Sequence, residues 1–531
     1  MFLLQDIFDW QATQDPGAEV ARDGGGSVLT RGQLREQADR VAQALVGVGV
    51  ARGDRVAVLA KNCLEYPALY LGAAKAGAVL VPLNYRLAPG EWNYIVDDAE
   101  ARLLVARGEF VAATDAIRDE LKTVERFVAL GDPGGPGDVS AGWTPYEQWT
   151  GDVPAGAPAV ELAPGDDVIQ MYTSGTTGLP KGVLLTHQAV VANLVQMATL
   201  NPAMREVRMQ VVAPFYHVGA TLSSLVTLFT GGSLYVHEDF IPDEVVRVLD
   251  EEDIGHTFLV PAMIQALLVF VPDVADRRYE RLQMIGYGAS PITEETLRQA
   301  IEVFGCQFSQ GFGQTESVAM LTYLSWDDHQ RALSGDKPEL LRSAGRAGPA
   351  TELKIVDDEG NALPPYEVGE IVARGPQLMR GYWKLPEATS QVLRHGWLHT
   401  GDAGYLDDEG YLFIQDRIKD MIVSGGENVY PAEVEQVLFQ HPAVADAAVI
   451  GIPDDRWGEA VHAFVVLRPD AAGSAGATAE EIVEFCRERL AGYKRPRSVE
   501  FVDALPRNAS MKVLKKDLRA PYWEGRDRAV H

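Results

Sequence analysis

A loop of glycines, hydroxyl residues and one lysine does most to restrict how this chain can fold. It reads YTSGTTGLPKG from Tyr172 to Gly182, between strand-like runs at Asp167–Met171 and Val183–Leu185. Glycines let the backbone approach an anion closely, and the hydroxyls and Lys181 add donors and positive charge. An ordinary polar hairpin rarely combines all of these groups. The pattern therefore predicts two strands joined by a phosphate-binding turn.

The spacing within this turn differs from that of a Walker A loop. Lys181 lies three residues beyond Gly178, and no serine or threonine follows it. The segment after the lysine reads as a strand, whereas a Walker A loop opens directly into a helix. We therefore expect the turn to hold phosphate within a different architecture.

Helical and strand-like patterns alternate in the first part of the chain. Helices are predicted at Arg31–Val46 and Pro67–Ala76, and strands at Arg55–Leu59 and Ala78–Pro82. Such alternation is typical of α/β layers. The length of 531 residues exceeds a comfortable single core, so two or more domains are expected. The predicted class is α/β, with a large N-terminal domain of several subdomains in which sheets pack against helices.

The texture of the sequence changes near residue 415. A compact unit follows, with helices predicted at Pro431–Phe439 and Ala479–Leu490 and strands at Ala445–Ile450 and Val461–Leu467. About 115 residues suffice for an independent small domain. We therefore predict a small α+β C-terminal domain and place the boundary at 416–420.

Composition excludes several classes of protein. The net charge of −28 disfavours nucleic acid and anionic membrane surfaces as partners. No apolar run is long enough to span a membrane, and the N-terminus lacks the basic region of a secretory signal. The three cysteines, Cys63, Cys306 and Cys486, show no metal-ligand spacing. A cytoplasmic protein with reduced thiols is expected.

One stretch departs from this acidic balance. Between Arg489 and Arg519 stand nine basic residues and three acidic ones. This excess is either a solvated face or a site for a polyphosphate ligand, and the sequence leaves both interpretations open.

Further motifs follow the glycine-rich turn in a fixed order. They read GYGASP at 286–291, QGFGQTE at 310–316, WLHTGD at 397–402, DRIKD at 416–420 and LPRNASMK at 505–512. Together with the turn, this series resembles the adenylate-forming superfamily of acyl-CoA synthetases, peptide-synthetase adenylation domains and luciferases. The resemblance covers nearly the whole chain. It implies that ATP and an acid form an acyl-AMP with release of pyrophosphate.

The resemblance also assigns functional residues. It assigns catalysis to Thr173, His217, Glu316 and Lys512, and Mg²⁺ binding to Glu316. It assigns the binding of ATP and coenzyme A to Ser174, Gly175, Thr176, Thr177, Gly178, Lys181, Gly288, Ala289, Ser290, Gln310, Gly311, Phe312, Gly313, Thr315, Asp402, Arg417, Lys419, Gly425, Gly426 and Trp457.

Within the nucleotide site, the implied roles follow the chemistry of each group. Phe312 would stack on adenine, and Thr315 would contact phosphate. Glu316 would share Mg²⁺ with phosphate oxygens, which suits a hard cation. Asp402 and Arg417 would contact the ribose, because an ionised carboxylate accepts two vicinal hydroxyls well.

The C-terminal roles depend on movement. The resemblance implies an N-terminal domain over 1–416, a hinge at 417–419 centred on Lys419, and a mobile lid over 420–531. Lys512 would stabilise charge on the α-phosphate during adenylation. The family usually has glycine before this lysine, whereas this chain has Met511.

The acid and its acceptor are suggested by two segments. PFYHVG at 214–219 resembles fatty-acyl and aryl-CoA ligases, and His217 would stand between acyl pocket and thiol tunnel, unless it is a core histidine. The predicted pocket wall is Val218, Thr221, Val260, Tyr287, Val318 and Ala319. DDRWG at 454–458 resembles the coenzyme A entrance, although Trp457 could equally pack between domains.

The predicted function is therefore an AMP-forming ligase that joins a fatty or aromatic acid to coenzyme A. Two alternatives keep the adenylation step: the use of nitrite to diazotise an aryl amine, and the loading of a carrier protein. A non-catalytic nucleotide-binding protein is disfavoured, because Glu316 and Lys512 are both present. The resemblance leaves monomer and homodimer open.

Overall fold

The computed structural model describes residues 3–131, 141–173, 179–290, 292–417, 420–424, 427–454, 456–468, 477–507 and 513–524. Its helices are α1 Asp6–Gln14, α2 Arg31–Gly47, α3 Tyr66–Ala76, α4 Pro89–Asp98, α5 Gly108–Asp115, α6 Tyr146–Gly151, α7 His187–Leu200, α8 Val218–Phe229, α9 Pro242–Glu251, α10 Pro261–Phe270, α11 Glu294–Phe304, α12 Trp326–Leu333, α13 Pro386–Val392, α14 Pro431–Phe439, α15 Ala479–Arg487 and α16 Lys515–Trp523.

Within the described residues, four sheets are formed by the strands. They are β1 Glu19–Asp23, β2 Val28–Thr30, β3 Arg55–Leu59, β4 Val79–Pro82, β5 Ala101–Arg107, β6 Arg126–Leu130, β7 Trp143–Pro145, β8 Asp167–Thr173, β9 Lys181–Thr186, β10 Arg208–Val211, β11 Ser233–Val236, β12 His256–Leu259, β13 Met284–Gly288, β14 Gln307–Phe312, β15 Thr322–Leu324, β16 Arg346–Ala347, β17 Glu352–Val356, β18 Gly369–Arg374, β19 Gly381–Tyr382, β20 Leu393–Arg394, β21 Trp397–Leu406, β22 Leu412–Arg417, β23 Ile422–Ser424, β24 Glu427–Val429, β25 Val444–Asp454, β26 Gly458–Leu467 and β27 Ser498–Phe501.

Two large sheets form the N-terminal part. One has nine strands in the order β16-β15-β14-β13-β12-β10-β11-β1-β2, and the other has eight in the order β19-β9-β8-β4-β3-β5-β6-β7. Helices α2, α3, α7 and α8 fill the main apolar core, to which residues of both sheets contribute. The predicted α/β class, with a large N-terminal and a smaller C-terminal domain, is confirmed.

Helix α2 shows why the first helical prediction succeeded. Thr30 caps it by accepting the Gln33 backbone N–H, while the Gln33 side chain accepts the Thr30 N–H. Its apolar residues recur at helical spacing and are buried against α3. A Cβ on Gly72 of α3 would lie 2.6 Å from Val41, so only glycine permits this close packing.

A five-stranded sheet, β17-β18-β21-β20 with β22 beside β21, follows the nine-stranded one. Strands β21 and β22 form a hairpin, which pairs Leu406 with Leu412. Its core is small and includes Ile355, Ile371 and Leu412. This sheet carries the chain to the predicted hinge.

The C-terminal part is built on the order β24-β23-β26-β25, with β27 parallel to β26. Helices α14 and α15 supply residues to one apolar cluster, and α16 supplies residues to another. Strand β25 is longer than the predicted Ala445–Ile450, because it pairs with β26 as far as Asp454 and Gly458. Pro453 is tolerated there since β25 lies at the edge of the sheet, where a missing N–H costs little.

Within the described ranges, none of the helices has the length and apolar character needed to cross a bilayer. The domain boundary at 416–420 and the mobility of the C-terminal part stay predictions.

Candidate active site

The predicted phosphate turn is closed by a hairpin. Strands β8 and β9 pair antiparallel, with Tyr172 opposite Gly182 and Thr173 opposite Lys181. Residues 174–178, which carry five of the predicted binding positions, lie outside the described residues. The two predicted strands are confirmed, so Thr173 and Lys181 stand side by side at the mouth of the turn.

The end of α4 holds both arms of this hairpin. The Tyr172 hydroxyl donates to Asp98 at 2.6 Å, and the Tyr94 hydroxyl donates to the carbonyl of Pro180 at 3.2 Å. Burial, helped by Asp98, raises the pKa of Tyr172 well above its ordinary value, so the phenol remains a donor. The turn is therefore supported from outside by two tyrosine hydroxyls whose pKa values are raised, so both remain donors near neutral pH.

Lys181 lies over an aromatic ring. Its Nζ is 5.1 Å from the centroid of the Tyr382 ring, a distance typical of a cation–π contact. In the part of the chain that the structure describes, no carboxylate forms an ion pair with it. Its positive charge is thus positioned without being neutralised by any of the described side chains.

Glu316 contacts the hydroxyl of Tyr382. The Tyr382 hydroxyl donates to Glu316 Oε1 at 2.8 Å, and the N–H of Met379 donates to the Glu316 carbonyl at 2.8 Å. Glu316 is only 8% exposed. A buried carboxylate held in this way can meet a cation that arrives with a ligand.

The turn around Glu316 has an unusual backbone. Val318 and Ala319 adopt positive φ angles of 59° and 126°. A β-branched residue rarely occupies the left-handed region, and such strain is concentrated at functional sites. A Cβ on Gly313 would clash with the carbonyl of Ala319, so glycine is required where the turn closes on itself.

The two glycine-rich segments meet at the ends of adjacent parallel strands. Gly288 of β13 pairs with Gly311 of β14, and a Cβ on Gly288 would clash with the Gly311 carbonyl. Gln310 and Phe312 flank this contact, and Phe312 is half-buried against the core of the next sheet. Clefts at the carboxyl ends of parallel strands are common ligand sites. Stacking of adenine on Phe312 stays a prediction.

Three other predicted nucleotide residues lie close by in sequence. Ala289 has a positive φ of 68°, and Ser290 and Thr315 are partly exposed. Thr315 begins the short turn that contains Glu316. Their contacts with a nucleotide stay predictions.

Asp402 and Arg417, both assigned to the ribose, are opposite one another. They pair across strands β21 and β22, although fifteen positions separate them in sequence. The Asp402 N–H donates to the Thr400 hydroxyl at 3.1 Å. The fold thus brings the two residues together at the end of the sheet that leads to the hinge.

His217 caps the start of α8 without a side-chain capping bond. Its Nε2 is buried and has no hydrogen-bond partner among the described residues. Burial, with a smaller effect of Arg86, lowers the pKa of His217 to about 4, so the imidazole is neutral at ordinary pH. An unpartnered buried nitrogen favours a ligand-facing role over that of a fully satisfied core histidine.

Two residues of the predicted pocket wall have their hydroxyls occupied by the protein. Thr221 contacts the Phe215 carbonyl and the Tyr70 hydroxyl, and Tyr287 Oη is 2.9 Å from His329 Nε2. Because His329 Nδ1 lies 2.7 Å from the Ser325 carbonyl, Nδ1 carries the proton and Tyr287 is the donor. These two residues can thus offer an acid only apolar surface.

Four of the nine basic residues between Arg489 and Arg519 form ion pairs with carboxylates from other segments. Each pair lies within 2.9 Å: Lys494 with Glu433, Arg507 with Asp446, Lys515 with Glu435, and Arg519 with Asp420. These four charges therefore stabilise the fold. Binding of a polyphosphate ligand by this stretch stays a prediction.

Trp457 is the point at which cationic groups converge. The guanidinium groups of Arg456 and Arg497 lie 4.8 Å and 4.9 Å from its ring centroid. Arg456 and Arg497 are exposed, and Trp457 is half-buried. An aromatic ring between two arginines can receive a base and its phosphates.

Four predicted residues of the C-terminal part, namely Lys419, Gly425, Gly426 and Lys512, lie outside the described residues. Their surroundings are described. Ser424 pairs with Glu427 around the two glycines, and Arg507 bridges Val513 around the segment that contains Lys512.

Sequence reasoning missed Tyr382 and Asp98. Tyr382 follows Gly381 in a short strand that pairs with β9, and its aromatic neighbour Trp383 donates to the Asp98 carbonyl at 2.8 Å. An isolated aromatic pair gives no periodic signal. Only the pairing of β19 with β9 shows that these residues support the turn.

Family models match most of the chain. A model described as AMP-binding enzyme matches residues 8–383, and one described as AMP-binding enzyme C-terminal domain matches residues 433–512. The second match spans α14 to the segment before α16, and thus most of the C-terminal part.

Similar proteins match over nearly their full length. The fatty acid–[acyl-carrier-protein] ligase ScoC of Streptomyces coeruleorubidus is 38% identical, with 95% of this chain and 94% of that protein covered. A feruloyl-CoA synthase of Amycolatopsis sp is 38% identical, with 98% and 99% covered. The solved structure of a Mycobacterium tuberculosis fatty acyl CoA synthetase superposes with a TM-score of 0.76 at 34% identity, and 98% of each chain is covered.

Proposed function

This chain belongs to the AMP-binding enzyme family of adenylate-forming acid–CoA ligases, and from that premise we propose that it joins a fatty or aromatic acid to coenzyme A through an acyl-AMP. The observation that carries the proposal is the alignment of Lys181, Tyr382 and Glu316 beside the glycine-rich turn. A cation over the face of one ring and a buried carboxylate at its hydroxyl suit a triphosphate that brings its own metal ion.

Glu316 is a suitable ligand for a Mg²⁺ ion that arrives with the triphosphate. Among the described residues, no three His, Cys, Asp or Glu side chains are grouped closely enough to hold a metal. A single carboxylate is typical of Mg²⁺ bound mainly through substrate phosphates and water. When bound, the ion would neutralise charge on the phosphates, and Glu316 would fix its place.

In the first half-reaction, a carboxylate oxygen of the acid attacks the α-phosphorus of ATP. The new P–O bond replaces the bond to pyrophosphate, which leaves with its electron pair. Lys181 and the turn would hold the phosphates, and Lys512 would stabilise the charge that grows on the α-phosphate oxygens. Asp402 and Arg417 would fix the ribose, so that the reacting atoms are aligned.

The acid would lie against apolar walls near His217. A neutral imidazole adds no charge that would trap the carboxylate away from phosphorus. Val318, Tyr216 and Tyr287 are buried side chains of the kind that would pack against an aromatic or alkyl tail. This supports an apolar acid over an amino acid.

In the second half-reaction, the thiol of coenzyme A attacks the carbonyl carbon of the acyl-AMP, and AMP leaves as the C–O bond breaks. The nucleotide end of coenzyme A would contact Trp457, Arg456 and Arg497. Gly425 and Gly426 would let the pantetheine arm pass near the backbone. The C-terminal part would rotate about Lys419 between the two half-reactions.

A cytoplasmic location is part of this proposal. All three cysteines are free in the structure, and Cys306 and Cys486 are buried. Burial raises the pKa of Cys486 to about 11, which keeps it a thiol. Unpaired thiols suit a reducing compartment.

Pyrophosphate release over a panel of fatty acids, aromatic acids and nitrite tests the proposal. Each acid is offered with coenzyme A, with a phosphopantetheinylated carrier protein, and with no acceptor. We expect AMP from an apolar acid, and an acyl thioester only with coenzyme A. If none of the panel yields AMP from ATP, adenylation itself is refuted.

The same panel separates the alternatives. The similarity to ScoC, a fatty acid–[acyl-carrier-protein] ligase, favours a carrier protein as the second candidate acceptor. If a thioester forms with the carrier protein but not with coenzyme A, the carrier protein is the acceptor and the proposed adenylation step is unaffected. If nitrite is the only compound of the panel that yields AMP, the substrate is nitrite and not an apolar acid.

A further inference from the structure

Strand β19 brings Tyr382 between the two charged groups of the proposed nucleotide site. Its backbone pairs with Val183, two residues beyond Lys181. Its hydroxyl is 2.8 Å from Glu316 Oε1, and its ring lies under the Lys181 ammonium. One side chain therefore contacts a cation with its face and a carboxylate with its hydroxyl.

The phenol can act only as a donor here. Its hydroxyl donates to Glu316 Oε1, and a carboxylate oxygen can only accept. The hydrogen bond to the carboxylate is therefore charge-assisted. This bond restricts the rotation of Glu316 before any ligand arrives.

The backbone on both sides of Tyr382 is anchored. The Tyr382 N–H donates to the Thr389 hydroxyl at 2.9 Å, and the Trp383 N–H donates to the carbonyl of Gly182 at 2.7 Å. The Arg55 guanidinium lies 4.0 Å from the centroid of the Trp383 ring. A side chain held at both neighbours can define the position of its partners closely.

We propose that Tyr382 is a positioning residue for adenylation, which fixes the carboxylate of Glu316 and orients the ammonium of Lys181 toward the phosphates. The inference rests on the proposed function, since it needs ATP to be the ligand of this site. Tyr382 itself need not touch the reacting atoms. Its role is to remove the freedom of two groups that do.

Tyr382→Phe tests this, because it keeps the ring under Lys181 and removes only the hydroxyl. The matched control is Tyr279→Phe, which removes a buried hydroxyl that donates to the Val274 carbonyl at 2.6 Å in the loop between α10 and β13. Four quantities are measured on full chains. They are the affinity for Mg²⁺ with α,β-methylene ATP by calorimetry, the Mg²⁺ dependence of ATP–pyrophosphate exchange, the rate of transfer from preformed acyl-AMP to coenzyme A, and the melting temperature.

We expect Tyr382→Phe to bind the Mg²⁺ nucleotide about tenfold more weakly and to need more Mg²⁺ for half-maximal exchange. Exchange at saturating Mg²⁺ should fall roughly ten- to hundredfold, as for a lost hydrogen bond to a charged group. Transfer to coenzyme A from preformed acyl-AMP should be unchanged. Tyr279→Phe should lower the melting temperature as much but leave nucleotide binding and exchange intact.

Equal nucleotide affinity and Mg²⁺ dependence in Tyr382→Phe and the unmodified chain would overturn the inference and make Tyr382 a packing residue. The inference is also overturned if both half-reactions fall equally, in step with the melting temperature. If the unmodified chain binds no Mg²⁺ nucleotide, the proposed function fails and this inference fails with it. If the unmodified chain binds the Mg²⁺ nucleotide and only the prediction for Tyr382→Phe is contradicted, the proposed function is unaffected.

Discussion

Two partly buried lysines of this protein have opposite electrostatic surroundings. Lys181, beside the phosphate turn, lies over the Tyr382 ring, and within the described ranges it has no ion-pair partner. Lys515, at the start of α16, is 2.9 Å from Glu435 and 3.7 Å from Asp416. The aromatic face positions a charge without neutralising it, whereas the carboxylates neutralise it fully.

One histidine from each domain shows the same kind of difference in how its ring nitrogens are satisfied. In the N-terminal domain, His256 is buried and its Nδ1 has no hydrogen-bond partner among the described residues. In the C-terminal domain, His462 is 2.6 Å from the Ser498 hydroxyl and is also close to Tyr522. His256 thus keeps an unsatisfied nitrogen, whereas both ring nitrogens of His462 have a hydroxyl close by. Ligand charge and ligand hydrogen bonds can only be used by groups that the protein has left available.

The largest effect should come from the compensated lysine. Lys515→Met removes the ammonium that contacts Glu435 and Asp416, although both carboxylates keep backbone N–H donors from Val449 and Ala432. We expect the free energy of unfolding to fall by about 3–5 kcal/mol, measured by urea denaturation of the full chain.

A second substitution sharpens this result. The double variant Lys515→Met with Glu435→Gln should recover part of the lost free energy of unfolding, because it also removes the charge of Glu435. An unchanged urea midpoint in the single variant would show that Lys515 is not structural and would remove one side of the comparison.

The uncompensated lysine should show the reverse pattern. Lys181→Met should slow ATP–pyrophosphate exchange by about 10²–10³, as when one stabilising donor is lost from an active site. Its free energy of unfolding should change by less than about 0.5 kcal/mol, since no ion pair of the described residues is broken.

Lys384→Met is the matched control for Lys181. Lys384 follows Trp383 and forms an exposed ion pair with Glu100 at 2.8 Å, so its loss should affect neither exchange nor stability appreciably. A large drop in stability for Lys181→Met would instead place Lys181 in the same class as Lys515.

The smallest effect concerns pH. Burial lowers the pKa of His256 to about 4, so the folded protein keeps it neutral while the unfolded chain binds a proton below about pH 6.5. Stability is therefore lost as the pH falls from about 6.5 toward 4. His256→Gln should reduce the difference in unfolding free energy between pH 7.5 and pH 5.0 by about 2 kcal/mol, measured by urea denaturation.

Exposed His395 supplies the control for this experiment. His395→Gln should leave the pH dependence as in the unmodified chain. If His256→Gln has the same pH dependence as His395→Gln, the unpartnered histidine is not the source of acid sensitivity, and the contrast between the domains is weaker than the geometry indicates.

Periodic and capped elements were predictable because their signals are local. The helix predicted at Pro431–Phe439 has the observed bounds, and the strand at Arg55–Leu59 does as well. The helix predicted at Ala479–Leu490 ends three residues earlier, at Arg487. Helix ends depend on contacts beyond the helix, which a sequence pattern does not contain.

The candidate site was predictable only in part. The glycine-rich turn and the motifs that contain Glu316 and Asp402 stand out by their chemistry, and a resemblance could assign roles to them. The pairing of Asp402 with Arg417 and the support of Glu316 by Tyr382 depend on strand register. Register is set by burial of whole faces and by the turns between strands.

The sequence by itself determined the chemistry of this protein: the residue types of the phosphate turn, the alternation of helices and strands, and an acidic charge unsuited to nucleic acid. The tertiary structure alone decided which charges form ion pairs that stabilise the fold and which lie beside aromatic rings instead. Nine basic residues near the C-terminus look alike as letters, yet Lys515 is neutralised by Glu435 whereas Arg497 lies beside Trp457. The physical reason is that electrostatic compensation depends on distances of a few ångströms between groups far apart in sequence, and only folding sets those distances.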